Sequence, residues 1–230
     1  MAETEVTYAT RDGENFTGYL AAPNGGGAND KVPGILLITA IFGIDDEMKE
    51  LSDAWADDGF VVSTPDIFWR TMPGPTADMD KAFARYESFD RDQGMKDIED
   101  LLNDLRAHPQ CNGKVAVLGF CFGGSYAHLA AARLGINAAG AYHGTKIGLD
   151  AAEAANVTCP VSFHFGMQDP VVSMEEVEII KQAYAGHDNA EIVVYEGASH
   201  GFSMPYKEGY QPEAAMRSRE AVLRCFNSMR

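Results

Sequence analysis

The chain has 230 residues, 46% of them hydrophobic, which is enough to bury one substantial core, so we expect a single domain over residues 1–230. Asp and Glu number 34 against 18 Lys and Arg, which gives a formal net charge of −16. A surface this acidic repels phosphate backbones and anionic lipids. We therefore expect neither a nucleic acid nor a membrane surface as a partner.

The first twenty residues lack the basic and apolar regions of a secretory signal, and no apolar run approaches the roughly 18 residues that a membrane span needs. These features predict a cytoplasmic protein. The four cysteines are scattered, which favours free thiols over a disulfide framework or a metal site. They are Cys111, Cys121, Cys159 and Cys225. We expect no metal and no organic cofactor.

Two alternating segments open the chain, TEVTYAT and NFTGYLAA, and RDGE joins them. Alternation on both sides of an Asp-Gly turn signal predicts an antiparallel hairpin. A loop, PNGGGANDKVPG, follows the hairpin.

Six short and continuously apolar runs follow Gly34, namely GILLIT, FVVSTP, KVAVLG, NAAGAY, VSFHFG and AEIVVYEG, and they are typical of strands buried on both faces. Helical patterns lie between them at 45–58, 79–90, 95–107, 124–134, 174–185 and 213–227. Ser173 with Glu176 has the form of a capping box. The alternation predicts an α/β fold with a mostly parallel central sheet, helices on both faces and a ligand site at the carboxyl ends of the strands.

The segment GFCFGG places Cys121 between a buried strand and a helix, in the form Gly-x-nucleophile-x-Gly of a nucleophile elbow. Glycine on either side leaves room for the sharp bend. The thiol lies at a helix N-terminus, where the dipole and free N–H groups favour a thiolate. The alternative is a buried structural cysteine, the common fate of a free thiol. Because the strand, the bend and the helix occur together, we favour the nucleophile.

A cysteine nucleophile needs a base, and the base needs a carboxylate to orient it. Asp169 follows one buried run, in VSFHFGMQDP, and His200 follows the next, in IVVYEGASHGF. The order Cys121, Asp169, His200 is that of the α/β-hydrolases. Taken alone, an Asp before Pro is often a turn former. His143, in AYHG, also ends a strand and is a candidate for lining a pocket.

These residues resemble those of the dienelactone hydrolase family, the cysteine-using branch of the α/β-hydrolases. The likeness covers most of the chain, from the block that begins GILLITAIFG through GFCFGG and GMQDP to SHGF. It implies Cys121 as nucleophile, His200 as base and Asp169 as its partner. It also implies an oxyanion hole formed by the N–H groups of Ile41 and Phe122, a small ester or lactone as substrate, and a thioester intermediate.

Two departures from the family pattern stand out. Ala40 replaces the family's glutamate before IFG, which is understood to hold the thiol neutral until substrate arrives. Without it, we expect Cys121 to form an ion pair with protonated His200 in the resting enzyme. The arginines that bind a dienelactone's carboxylate in the family correspond to Met79 and Met204, and a thioether cannot make a guanidinium's charged bonds. The alternative is that another cation restores the positive group, and the candidates are Arg70, Lys81, Arg85 and Lys207.

Aromatic residues are expected near the same rim, so the pocket is predicted to be apolar and to prefer an uncharged ester or lactone. The candidates for substrate binding are Phe68, Trp69, Met79, Phe83, His143, Phe202 and Met204. Alternatively, the aromatic side chains are ordinary core residues. The rival functions are a carboxylesterase or thioesterase on an apolar acyl substrate, a non-catalytic binding protein with this fold, and a redox-sensing thiol protein. We expect a monomer or a weak homodimer.

Overall fold

The computed structural model describes residues 4–23 and 31–230, so most of the predicted loop from Pro23 to Gly34 lies outside the described residues. The chain forms two compact units, Met1–Val115 and Ala116–Arg230. The single domain stays a prediction. Across the described ranges, no helix is both long and apolar enough to cross a membrane.

The first unit contains four strands in the order β1-β2-β4-β3. The first two strands form the predicted antiparallel hairpin, β2 is also antiparallel to β4, and β3 and β4 are parallel. The elements are β1 (Thr4–Ala9), β2 (Asn15–Ala21), β3 (Val32–Ile38), α1 (Asp46–Asp57), β4 (Val61–Pro65), α2 (Met79–Glu87) and α3 (Arg91–Ala107). Strand β5 (Cys111–Phe120) starts in this unit and ends in the next.

The second unit is a parallel α/β arrangement in which β5, β6, β7 and β8 are neighbours in that order. Its further elements are α4 (Phe122–Arg133), β6 (Ala138–Tyr142), a 3₁₀ helix (Ile147–Asn156), β7 (Val161–Gly166), α5 (Met174–Ala183), β8 (Ala190–Tyr195), α6 (Pro212–Phe226) and a last 3₁₀ turn (Asn227–Met229). Strands β6 and β7 are buried along their whole length, as their apolar sequences predict. Parallel pairing brings the carboxyl ends of β5, β6, β7 and β8 to one edge.

Side-chain caps explain where several helices begin. Asp90 accepts a hydrogen bond from the Gln93 N–H at 3.0 Å, so α3 begins at Arg91 and not at residue 95 as predicted. Ser173 caps α5 by accepting the Glu176 N–H at 3.2 Å. The other half of the predicted capping box is wrong, because the Glu176 carboxylate accepts the Gly148 N–H at 3.1 Å instead.

Two further expectations needed correction. Strand β8 is not buried on both faces, because only Tyr195 of its six residues is buried. The 3₁₀ helix from Ile147 to Asn156 was not predicted. It follows Lys146, which lies in the left-handed region at φ 58° and turns the chain out of the preceding loop.

Candidate active site

The bend between β5 and α4 is shaped around Cys121. Its φ of 50° lies in the left-handed region, which is strained for any residue other than glycine. Gly119 makes the bend possible, since a Cβ there would overlap the backbone carbonyl of Gly123. The Cys121 side chain is partly exposed. The strand, bend and helix therefore have the arrangement that the sequence predicts for a nucleophile elbow.

Backbone hydrogen bonds fix this bend to the end of β6. The Cys121 N–H donates to the Tyr142 carbonyl at 3.1 Å, and the Cys121 carbonyl accepts from Gly124 and Thr145, each at 3.0 Å. Gly124 also packs so closely on Gly144 that a Cβ on it would overlap the Gly144 Cα. The position of the thiol is therefore determined by β6 as well as by its own strand and helix.

Asp169 and His200 meet at the carboxyl ends of β7 and β8. The His200 Nδ1 lies 2.8 Å from Asp169 Oδ2. The other carboxylate oxygen, Oδ1, accepts the N–H groups of Val171 and Val172 at 2.7 and 3.0 Å. The Asp169 side chain is completely buried, whereas that of His200 is 22% exposed. Asp169 is thus held rigidly, and it orients the ring of His200.

Cys121 is close enough to His200 to raise its pKa. Burial lowers the pKa of His200, but the hydrogen bonds and negative charges of Asp169 and Cys121 outweigh burial and raise the pKa to about 9. With a pKa of about 9, the imidazole of His200 is protonated at neutral pH. Cys121, His200 and Asp169 therefore lie in a row beyond the carboxyl ends of β5, β8 and β7.

His143 lies against this row. Its ring centroid is 4.6 Å from that of His200, and the two rings meet edge to face. Ser203 Oγ is 3.3 Å from its Nε2, while its Nδ1 is buried without a hydrogen-bond partner. Burial first, and then the charge of His200, hold the pKa of His143 well below its ordinary value. The imidazole of His143 is therefore neutral. The sequence analysis missed Ser203, for which the only signal is its place three residues after His200.

The remaining candidates in the second unit, Phe202 and Met204, are buried, and Phe202 packs on His143 with ring centroids 5.8 Å apart. Phe122, whose N–H is the predicted oxyanion donor, is also buried and packs on Tyr126. Phe122 directly follows Cys121, whereas Phe202 and Met204 come two and four residues after His200.

Five predicted site residues belong to the first unit. Ile41 is buried in a turn where the Gly43 N–H donates to the Ala40 carbonyl at 3.2 Å. Phe68 is buried, and Trp69 stacks on Phe16 with ring centroids 4.9 Å apart. Met79 and Phe83 on α2 are about half exposed, at 47% and 50%. Phe68 and Trp69 therefore contribute to packing, whereas Met79 and Phe83 are open to solvent.

The first unit also contains a cavity of about 580 Å³ that the sequence did not indicate. Its lining includes Glu5, Asp46, Lys49, Glu50, Asp53 and Asp66, and none of the predicted site residues. The described residues contain no group of three or more His, Cys, Asp or Glu side chains arranged to hold a metal ion.

Comparisons with known proteins identify the family of the chain. The model of the dienelactone hydrolase family matches residues 16–230. The carboxymethylenebutenolidase of Pseudomonas putida is 28% identical over 229 residues, covering 97% of this chain and 95% of that protein. Carboxymethylenebutenolidase 1 of Cupriavidus pinatubonensis is 29% identical over 209 residues, covering 88% and 87%.

Solved structures confirm the predicted α/β-hydrolase fold. A crystal structure from Klebsiella pneumoniae superposes with a TM-score of 0.88 at 25% identity and covers 98% of both chains. A dienelactone hydrolase-like promiscuous phosphotriesterase from metagenomic libraries gives a TM-score of 0.85 at 24% identity, covering 99% of this chain and 98% of that one. The chain belongs to the dienelactone hydrolase family, and it is an enzyme that hydrolyses a small-molecule ester or lactone.

Proposed function

We propose that this hydrolase acts through a Cys121–His200–Asp169 triad and a thioester acyl-enzyme. The observation that carries the proposal is the position of His200. One ring nitrogen is bonded to the buried carboxylate of Asp169, and Cys121 is close enough to the ring to raise its pKa. This is the nucleophile–base–carboxylate relation that covalent acyl transfer requires.

In the first half of the reaction, the Cys121 thiolate attacks the carbonyl carbon of the ester or lactone. The C–O bond breaks as the tetrahedral intermediate collapses, and protonated His200 gives its proton to the leaving alkoxide. In the second half, neutral His200 takes a proton from water, and the resulting hydroxide attacks the thioester. The acid is released and the thiolate returns. Asp169 keeps the ring in one orientation and stabilises its charged form throughout.

We assign one donor of the oxyanion hole to the backbone N–H group of Phe122. Phe122 is the residue directly after the nucleophile and the first residue of α4. The first N–H groups of a helix point out of its N-terminus, which is the direction that this assignment requires. Loss of one such donor costs about 3 kcal/mol of transition-state stabilisation in related chemistry.

We further propose that the resting enzyme holds a thiolate–imidazolium pair. Ala40 has no carboxylate, so this side chain cannot favour the neutral thiol over the charged pair. The raised pKa of His200, about 9, supports a protonated ring at neutral pH. A permanent thiolate reacts with alkylating agents without substrate being present.

The preferred substrate in this proposal is an uncharged or largely apolar ester or lactone. Met79 and Met204 stand where the family's carboxylate-binding arginines are expected, and neither carries a charge. Met204 is buried and Met79 is half exposed. A carboxylate-bearing dienelactone would lose its bidentate partners here and would bind weakly.

Hydrolysis of a panel of chromogenic esters and lactones tests the covalent mechanism. Cys121→Ala is expected to lose at least about a thousandfold in kcat. Cys225→Ala is the matched control, because Cys225 is also a partly exposed free cysteine but lies on α6. Mass spectrometry of the wild type, quenched during turnover, should find the acyl group on Cys121. Equal rates for Cys121→Ala and wild type would refute the mechanism.

The substrate preference is tested by comparing kcat/KM for a neutral ester and for a dienelactone. We expect the neutral ester to be favoured. Met79→Arg restores a guanidinium at an exposed helix position, where it should not disturb folding, and it should improve the dienelactone alone. A wild type that strongly prefers the dienelactone would contradict the assignment.

A further inference from the structure

We propose that His143 is a positioning residue that holds the imidazole of His200 in its working orientation. The inference rests on the triad proposed above. It adds a fourth side chain, anchored by Ser203, which supports the base from the side without taking part in the chemistry.

The backbone around His143 determines where its ring lies. His143 follows β6 directly, with a φ of 41°, and its N–H donates to the carbonyl of His164 on the neighbouring strand at 2.7 Å. A positive φ is strained for histidine, so a specific backbone arrangement directs this ring. Gly144, the next residue, packs against Gly124 of α4. The backbone on both sides of His143 is therefore fixed.

His143 contacts His200 directly. The His143 ring lies edge to face with His200, with centroids 4.6 Å apart and planes at 60°. Phe202 and Phe120 pack on it, with centroids 5.8 and 6.3 Å away. His143 is completely buried, so it can contact His200 but is not open to a substrate. This burial favours a positioning role over the substrate contact that the sequence suggested.

The hydrogen bonding of His143 is one-sided. Only one ring nitrogen of His143 has a partner, the hydroxyl of Ser203 at 3.3 Å, and Nδ1 is buried without one. A ring kept only for packing would be less costly as phenylalanine, because an unpaired buried nitrogen is unfavourable. The bond to Ser203 sets the rotation of the ring. That rotation decides how the ring meets His200.

The charge of His143 also suits a position beside His200. The ring centroid of His143 is 4.6 Å from that of protonated His200, so a positive charge on His143 would repel His200. His143 can therefore support His200 only as a neutral ring. Burial, followed by the charge of His200, lowers the pKa of His143 and satisfies this condition. On the neighbouring strand, burial also lowers the pKa of His164, to about 3, so it adds no charge. Neutral aromatic rings are suitable neighbours for a cation.

The experiment is a double-mutant cycle on the full-length enzyme with a neutral chromogenic ester. His143→Phe keeps an aromatic ring but removes the nitrogen that bonds Ser203. Ser203→Ala removes the hydroxyl group of the same hydrogen bond, and the third variant combines the two changes. Each single variant is expected to lose about tenfold to a hundredfold in kcat with KM changed less than about twofold, because a misdirected base slows chemistry and not binding. The double variant should lose no more than the worse single one, since both changes break the same bond.

The matched control is His128→Phe. His128 is another completely buried histidine of the second unit, and its ring nitrogens bond Tyr184 at 2.7 Å and the Asp150 carbonyl at 3.0 Å. It should lower the thermal midpoint and leave kcat close to that of the wild type. A purely structural role for His143 predicts the same pattern at both histidines. The proposal predicts that only the His143 and Ser203 variants lose kcat.

A spectroscopic readout separates this proposal from the triad itself. The downfield proton resonance of the His200 Nδ1–H, which reports its bond to Asp169, should shift in His143→Phe and in Ser203→Ala and not in His128→Phe. Unchanged kcat and an unchanged resonance in both folded variants would overturn the positioning role while leaving the triad intact. If His143→Phe does not fold, Ser203→Ala decides alone. Full activity in Cys121→Ala would instead refute the triad.

Discussion

Replacing Asp169 with asparagine is the most direct test of how the site holds its proton. Asp169→Asn keeps the size of the side chain but removes the negative charge that faces the His200 Nδ1 at 2.8 Å. Burial would then act on His200 with only Cys121 opposing it. We therefore expect the pKa of His200 to fall from about 9.

The size of the fall follows from the balance at His200. A rise from 6.5 to about 9 corresponds to about 3 kcal/mol in favour of the imidazolium, at about 1.4 kcal/mol for each pH unit. Asp169 and Cys121 together supply this amount and also offset burial, and the hydrogen bond of Asp169 is the largest single contribution that raises the pKa. At pH 8, a pKa of about 9 leaves His200 about nine-tenths protonated in the wild type, and the fall in pKa lowers that fraction in the variant.

The assay is an NMR titration of the His200 ring between pH 5 and 10. In the wild type the raised pKa means that the ring keeps its proton as the pH passes 6.5 and loses it near 9. In Asp169→Asn that loss should move to lower pH. Asp188→Asn, at an exposed position, is the control. A His200 that still titrates near 9 without Asp169 would refute the reasoning.

Two further predictions concern folding and are read from urea unfolding curves. Gly119→Ala should lower the free energy of unfolding by at least about 3 kcal/mol, because its methyl group would overlap the Gly123 carbonyl. Gly135→Ala, which also has a positive φ but meets open space, should cost only about 1 to 2 kcal/mol, and equal losses would contradict the steric argument. Ser173→Ala should cost about 1 kcal/mol by removing the N-cap of α5, whereas Ser173→Asp should retain the cap; an unaffected alanine variant would show that the 3.2 Å bond contributes nothing.

Local signals in the sequence account for much of the fold. Continuous apolar runs predict β6 and β7 because a strand covered on both faces needs no polar side. The elbow at Cys121 is predictable for a steric reason, since glycine at 119 is the residue that such a bend requires. The same runs mislead at β8, which pairs with β7 and leaves most of its residues partly exposed. Apolar composition alone does not distinguish an edge strand from a central one.

The chemistry of the site could be predicted only in part. Cys121, Asp169 and His200 follow strands in an order that points to one edge of the sheet. The role of His143 could not be derived in this way, because it depends on ring contacts between residues nearly sixty positions apart. Glu176 shows the same limit: its spacing from Ser173 predicts a local bond, but a backbone N–H brought close by folding takes its carboxylate. Such choices depend on distances that are set only after the chain has folded.

The contact between Gly124 and Gly144 couples two functional parts of the second unit mechanically. One glycine lies in the helix that follows the thiol, and the other comes directly after the ring that supports the base. A displacement of either glycine would move the Cys121 sulfur and the His143 ring in the same direction, so the distance between them is preserved when the surroundings relax. In the proposed mechanism, the His200 ring that His143 supports therefore stays aligned with the sulfur.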